Sequence, residues 1–206
     1  LPHVWQGAAV GEDCGGVWVG ACATLPAGGM RASGYDRAEN DWYVEPAWTV
    51  SALAEAEKLS GRCWDPACGS GNIPKTLEAR KITCLGSDIV ERGFGWRDDF
   101  FDLAPGYVHS VAAIVSNPPY GQLEQFIRHA LTHAPKVCVL ARLAFLEGQC
   151  RQKLFTETPL ARVWVSLRRI SMPPGGTDAP AKGGSVAYAW FVFDEAHTGN
   201  PTLGWI

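Results

Sequence analysis

The chain has 206 residues, a hydrophobic fraction of 47%, a charged fraction of 19% and a net charge of −3. That length fits one ordinary domain with a buried core, and the composition excludes general disorder. The slight negative balance leaves no global basic footprint for a polyanion. The distribution is uneven, since nine Lys or Arg lie from Arg128 to Lys182 against only Glu147, Glu157 and Asp178. Such a run fits either a surface that faces a polyanion or a chance asymmetry of solvated side chains.

The seven cysteines, Cys14, Cys22, Cys63, Cys68, Cys84, Cys138 and Cys150, form no CxxC pair and no Cys/His metal spacing. Reduced, mostly buried thiols are expected. No apolar run approaches the roughly 20 residues that span a bilayer, and no charged leader precedes a long apolar stretch. A cytoplasmic protein without a membrane partner is the expectation.

Residues 1–29 are rich in Gly and Ala and hold no helical or strand period for long. They are expected to form a low-order N-terminal extension ahead of a domain over 30–206, with Met30 as the first methionine. The alternative is an appendage that carries Trp5 and Trp18 into a groove. Pro46 suits the first turn of a helix whose apolar stripe is Val50, Leu53, Ala54 and Leu59. The chain then alternates: a strand over 62–65, a helix over 72–80, a strand over 82–87 and a short strand edge over 96–101. A buried strand over 111–116, an amphipathic helix over 123–134, a strand over 137–141, a helix over 147–155 and a strand over 163–167 follow. A Pro/Gly-rich loop over 172–184 leads to a last strand over 186–193. Alternation of this kind predicts an α/β fold with a parallel sheet covered on both faces, and two final strands without an intervening helix predict an antiparallel edge hairpin.

In an open parallel sheet, ligands sit beyond the carboxyl ends of the strands, where a glycine-rich turn feeds a helix. The segment Asp65-Pro66-Ala67-Cys68-Gly69-Ser70-Gly71-Asn72 occupies that place. Gly69 and Gly71 remove side chains so that backbone approaches a ligand closely. The missing third glycine and missing lysine argue against dinucleotide and P-loop phosphate sites. A second acid, Asp88, ends the next strand where a ribose diol binds, and Asp99-Phe100 follows at a third strand end, suited to an adenine amino group and its ring. Taken alone, Asp88 also reads as a surface acid that caps a helix.

Ser116-Asn117-Pro118-Pro119-Tyr120 follows the fourth strand. Two prolines remove two backbone donors and hold the chain extended. An exocyclic amine is a poor nucleophile because its lone pair is delocalised; acceptors from the Asn117 side-chain oxygen and the Pro118 carbonyl orient it and draw that pair out of the ring. Tyr120 suits stacking on a flat substrate group.

With these two motifs in one chain, the sequence resembles the N6-adenine DNA methyltransferases, particularly the small bacterial and phage-type members, over roughly residues 34–206. The resemblance implies a Rossmann-like, seven-stranded, mostly parallel sheet, the class I methyltransferase fold. It implies S-adenosylmethionine as cofactor, held by Asp65, Gly69, Gly71, Asp88, Asp99 and Phe100. Tyr43, Pro46, Pro66, Ala67 and Ile89 are further candidate cofactor contacts. Catalysis would fall to Asn117, Pro118, Pro119 and Tyr120, with the target base flipped out of the duplex.

Two departures stand out. Glu45-Pro46 stands where these enzymes commonly carry Thr-Pro near the methionine end of the cofactor, so Glu45 either attracts the cofactor's ammonium or repels its carboxylate. Met172, after Arg168-Arg169-Ile170-Ser171, stands where an aromatic often backs the flipped base; it either pads the ring or packs in an ordinary loop. Arg169 and Lys182, on the 168–184 stretch, are candidate phosphate contacts of a nucleic-acid-facing loop. DNA is the expected partner, with a separate specificity partner possible in so small a chain. RNA adenine, a protein glutamine amide and a non-catalytic cofactor-binding subunit are the alternatives. His129 and His133 are one helical turn apart, have no third ligand nearby, and are expected on a helix surface.

Overall fold

A computed structural model describes residues 42–177 and 186–206. Residues 1–29, with Trp5, Trp18 and two of the cysteines, lie outside the described residues, as does Lys182. Twelve elements carry the fold: α1 (Ala47–Ala56), β1 (Arg62–Asp65), α2 (Asn72–Ala79), β2 (Cys84–Asp88), β3 (Trp96–Arg97), β4 (Val111–Ser116), α3 (Leu123–Ala130), β5 (Lys136–Arg142), α4 (Gln152–Glu157), β6 (Leu160–Val165), β7 (Tyr188–Asp194) and β8 (Thr202–Trp205).

The strands form one eight-stranded sheet in the order β3-β2-β1-β4-β5-β7-β6-β8. β7 pairs antiparallel with both β5 and β6, and the remaining pairings are parallel. The order reverses direction at β1, whose neighbours are β2 and β4, so a crevice opens at the carboxyl ends of β1 and β4. The strand pleat explains the near-continuous apolar runs. Trp64, Ile114, Val137, Val139 and Phe191 turn into one core, whereas Cys63, Ala113, Val115, Cys138, Leu140 and Trp190 turn into the other, where α1 and α2 cover the sheet with Val50, Leu53, Ile73 and Leu77.

Mostly parallel α/β architecture with an antiparallel hairpin is as the sequence predicts, but among the described residues the sheet has eight strands. β8 adds to β6 with Gly204 opposite Trp164. A Cβ at Gly204 would meet the Trp164 ring at 2.3 Å, so the glycine lets the indole lie on the edge strand. Its four residues, Thr-Leu-Gly-Trp, alternate small with large side chains but are too few to mark a strand by themselves. β3 stops at Arg97 because the Asp99 side chain accepts from Phe101 N (3.0 Å) and starts a 3-10 turn over Phe100–Asp102. α3 ends at Ala130, four residues early, ahead of Pro135, which disfavours a helical residue before it. Cys63, Cys68, Cys84 and Cys138 are buried free thiols and Cys150 is exposed.

One buried charge cluster ties the far side of the sheet together. Glu57, the C-cap of α1 with a side chain only 2% exposed, accepts from Arg162 Nε (2.6 Å) and Nη2 (2.8 Å), Trp164 Nε1 (2.7 Å) and Lys136 Nζ (3.2 Å). Asp194 accepts from the same Arg162 and Lys136. Burial alone would raise the Glu57 pKa, but the Arg162 and Trp164 hydrogen bonds and the two cations outweigh it and lower the pKa. Burial pushes the Asp194 pKa up too, and hydrogen bonds from Arg162, Ala196 N and Lys136 outweigh it and lower the pKa. A carboxylate with a lowered folded pKa stabilises the fold above its unfolded value and loses that contribution as pH falls. Glu57→Gln is expected to cost about 3 kcal/mol near neutral pH, because Arg162 and Lys136 lose their buried partner. Denaturant titrations of both proteins across pH check this: their stability difference should shrink as pH falls below the ordinary glutamate value of 4.5, and a pH-independent difference would reject the assignment.

Candidate functional site

A cavity of about 500 Å³ lies beyond the carboxyl ends of β1, β2 and β4. Pro66, Ala67, Asp88, Ile89, Asp99, Phe100, Asn117 and Pro119 line it, so eight of the sequence-selected residues converge there. A small adjoining lobe shares Trp42, Ala67 and Asn117 with it and adds Tyr43, Glu45, Asp65, Gly69, Ser70 and Asn72. Together they have the size and mixed character of a small-molecule site.

The loop after β1 is fixed from several sides. Asp65, 1% exposed, accepts from Ser116 Oγ (2.7 Å) at the end of neighbouring β4 and from Ala67 N (3.2 Å). Burial pushes its carboxyl pKa well up, with the negative charges of Glu45 and Asp88 adding to the effect against the Ser116 hydrogen bond. Gly69 N donates to Asp88 Oδ2 (2.8 Å), and Asp88 Oδ1 accepts from Val90 N (2.9 Å) with Arg92 Nε 3.8 Å away. An ionised carboxylate holds about four acceptor sites, so Asp88 retains capacity toward the cavity.

Both loop glycines adopt left-handed backbone, φ +55° at Gly69 and +83° at Gly71. What fills the space they leave is protein. A Cβ on Gly69 would stand 2.4 Å from the Trp42 indole nitrogen, and one on Gly71 would stand 2.2 Å from the Phe94 ring. Gly71 caps α2 and lines neither lobe, so its requirement is helix entry and close packing. Gly71→Ala is expected to destabilise the fold by about 2 kcal/mol through positive φ and the displaced Phe94 ring. Thermal melts decide this, and an unchanged melting temperature would show that the loop tolerates a Cβ.

Asn117 is held by its amide nitrogen, which donates to the Tyr43 carbonyl (3.0 Å) and to Glu45 Oε2 (2.9 Å) and lies 3.7 Å from the Met172 sulfur. Its Oδ1 accepts from the Tyr120 hydroxyl (3.1 Å). Glu45, 6% exposed, also accepts from Asn72 Nδ2 through Oε1 (2.8 Å). Burial raises the Glu45 pKa against the Asn72 and Asn117 hydrogen bonds. The Tyr120 ring lies 6.4 Å from that of Tyr188, with the Arg142 guanidinium 5.8 Å from its centroid.

A short ladder brings Met172 to this group. Tyr43 bridges Pro174, Val44 N donates to Pro173 O (3.0 Å), and Gly175 N donates to Trp42 O (3.0 Å). Met172 is buried, and its sulfur touches Asn117 and lies 4.0 Å from the Tyr120 hydroxyl. Pro46 caps α1 and lines neither lobe. Phe100 is 5% exposed, with its ring packed against Trp64 (5.4 Å) and Phe126 (4.9 Å), so it reaches the cavity from within the core.

Arg169 is exposed and lines neither lobe. Four of the nine basic side chains of the run serve the protein itself: Lys136 and Arg162 pair with Glu57 and Asp194, Arg128 with Glu124 and Glu157, and Arg168 stacks on Trp48 at 4.6 Å. The expected histidine pair on a helix surface is corrected: His133 is buried, because the chain leaves α3 before it and folds it under Phe100. His133 Nε2 lies 3.2 Å from His129 Nε2, and burial lowers the His133 pKa. Among the described residues no group of three His, Cys, Asp or Glu is placed to hold a metal.

Sequence reasoning missed Trp42, Arg92 and Phe101. Arg92 stacks on the Trp42 ring at 4.1 Å and both line the cavity, so they wall it beside Asp88. Only an aromatic pair ahead of Glu45-Pro46 and an arginine four residues after Asp88 mark them in the sequence.

No family model matches the chain, and no curated protein matches it. Solved structures do. A candidate RNA methyltransferase from Pyrococcus horikoshii superposes with a TM-score of 0.55 at 13% identity, over 75% of this chain and 87% of that one. A dimethyladenosine transferase from Plasmodium falciparum gives 0.52 at 13% identity, over 73% and 62%. The chain has the fold of these methyltransferases. At such identity the likeness is one of architecture.

Proposed function

We propose that the protein transfers a methyl group from S-adenosylmethionine to an amino nitrogen, and that the N6 amino group of adenine in DNA is its target. The observation that carries this reading is the orientation of Asn117. Its amide N–H groups are directed to Tyr43 and Glu45, which leaves Oδ1, shared with the Tyr120 hydroxyl, as the polar atom of the side chain suited to a substrate. With Pro118 and Pro119 lacking N–H, the tetrapeptide offers acceptors, and acceptors select a substrate that donates.

The cavity fits the cofactor in size and chemistry. Asp88 would hold the ribose hydroxyls and Asp99 the adenine amino group. When bound, S-adenosylmethionine supplies a methyl group on a good sulfonium leaving group, so little acid-base machinery is needed. Asn117 Oδ1 accepts from the substrate N–H, turns the nitrogen lone pair toward the donor, and holds the amine in line. The surplus amine proton passes to solvent after transfer. Tyr120 packs against the planar group that carries the amine.

RNA adenine is the second reading, favoured by one structural neighbour described as an RNA methyltransferase and another described as a dimethyladenosine transferase. Incubation with labelled S-adenosylmethionine and duplex DNA, structured RNA or a glutamine peptide, followed by nucleoside and peptide mass analysis, tests all three. N6-methyladenine in DNA is the expected product; label only in RNA or peptide would replace the target, and cofactor binding without turnover on any would leave a cofactor-binding subunit. Asn117→Ala and Tyr120→Ala are expected to lose on the order of 3 kcal/mol of transition-state stabilisation each while keeping cofactor affinity. Calorimetric titration of the variants checks the second half, and an equal loss of cofactor binding would sink the substrate role. Arg169→Ala should weaken DNA binding across all sequences and lower the salt slope by about one; an unchanged slope would remove Arg169 from the interface.

A further inference from the structure

We propose that Glu45 is a positioning residue that fixes which way the Asn117 amide faces, and so acts through Asn117 on the transfer step. This rests on the amino-group methyltransferase reading and names a residue that the catalytic tetrapeptide does not contain.

An asparagine amide presents an acceptor and two donors of nearly equal shape, and a half-turn exchanges them. For an amine substrate the two faces have opposite value, since Oδ1 accepts from the amine whereas Nδ2 would meet it donor to donor. In this chain the choice is made from behind. Glu45 Oε2 at 2.9 Å and the Tyr43 carbonyl at 3.0 Å are both acceptors, and both face Nδ2. Turning the amide over would set Oδ1 against a carboxylate and a carbonyl, and would also remove the acceptor of the Tyr120 hydroxyl.

Glu45 is itself fixed. Its side chain is buried, and its other oxygen accepts from Asn72 Nδ2 at the start of α2. Asn72 Nδ2 also donates to the Glu45 carbonyl, so side chain and backbone of residue 45 are held together by one amide. The carboxylate therefore spans from the helix that follows the glycine loop to the asparagine that follows β4. A two-oxygen acceptor is what such a span requires: a Thr or Ser hydroxyl has a single oxygen and a shorter reach. Burial of a carboxylate is costly unless its lone pairs are used, and here two side-chain amides use them.

Glu45→Ala and Glu45→Gln separate this role from packing. Glutamine keeps one oxygen for Asn117 and gives up the side-chain bond from Asn72, whose Nδ2 still has the Glu45 carbonyl; alanine keeps none. With wild-type activity on the adenine substrate established, Glu45→Ala should lower kcat by at least tenfold with substrate KM and cofactor Kd within threefold. Glu45→Gln should recover kcat to within about fivefold of wild type. A wild-type kcat in Glu45→Ala, or a loss of cofactor affinity matching the loss of rate, overturns the proposal, the second outcome making Glu45 a cofactor ligand. Should Glu45→Ala fail to fold, Glu45→Asp serves in its place, its shorter side chain being unable to span both amides. A second readout does not need the reaction. The Asn117 side-chain amide resonances, identified by their loss in Asn117→Ala, should exchange with solvent at least tenfold faster in Glu45→Ala than in wild type and Glu45→Gln. Equal exchange in all three overturns the proposal. If the wild-type protein methylates no substrate, the proposed function fails, while the exchange measurement still decides whether Glu45 holds Asn117.

Discussion

The hydrogen bond from Ser116 to the buried Asp65 carboxylate joins the ends of two parallel strands at the point where the sheet reverses its order. The two motif segments of the site hang from those two ends. From β1 the chain enters the glycine turn, and from β4 it enters the Asn-Pro-Pro-Tyr segment. Parallel strands diverge in their connections, so nothing in the backbone ladder alone sets the distance between the two loops. A carboxylate that accepts from the neighbouring strand end and from its own loop sets it. Asp65 is therefore costly to bury and well placed to be structural, because the donors from Ser116 and Ala67, both on Oδ1, offset part of its desolvation.

The same logic repeats outward. Asp88 accepts the Gly69 N–H and so ties the glycine turn to the end of β2, while Glu45 ties α2 to Asn117. Three acids at strand ends or before a helix thus serve first as acceptors for the protein's own donors. The sequence suggests acids that wait for a ligand, whereas the geometry has acids whose first partners are already in the chain and whose side chains line the cavity or its lobe. The arrangement is pre-organised, with donors and acceptors of the loop already oriented.

How much was legible follows from how local each interaction is. The strand ends, the glycine turn and the tetrapeptide depend on neighbours in sequence, and the cavity lies where Asp65, Asp88 and Asn117 lead one to look. The partner of Glu45 is 72 residues away, so the sequence left its charge without an assigned purpose. Gly69 and Gly71 read as clearance for a ligand, yet the rings that use their clearance come from Trp42 and Phe94. His133 fits an exposed position only if α3 runs on to Ala134; its end at Ala130 turns the ring inward. β8 is carried by pairing with β6 and by an indole over a glycine, and its own four residues are too short a run to announce it.

The basic C-terminal run shows how charge counting misleads when partners are distant. Lys136 and Arg162 are spent on Glu57, which sits 79 and 105 residues away in sequence, and on Asp194. Those pairs hold α1 against β5, β6 and β7, and α1 begins at the Pro46 that follows Glu45. A carboxylate at one end of the helix anchors it to the sheet, and a carboxylate just before its other end orients the site. Charges that look like a surface for a polyanion thus hold the helix from which the strap over 42–46 departs, and the geometry at Asn117 is only as rigid as that anchorage. Rigidity of this kind suits a reaction whose main demand is alignment, since a donor carbon and an acceptor nitrogen must be held in line by groups that do not themselves take part in bond making.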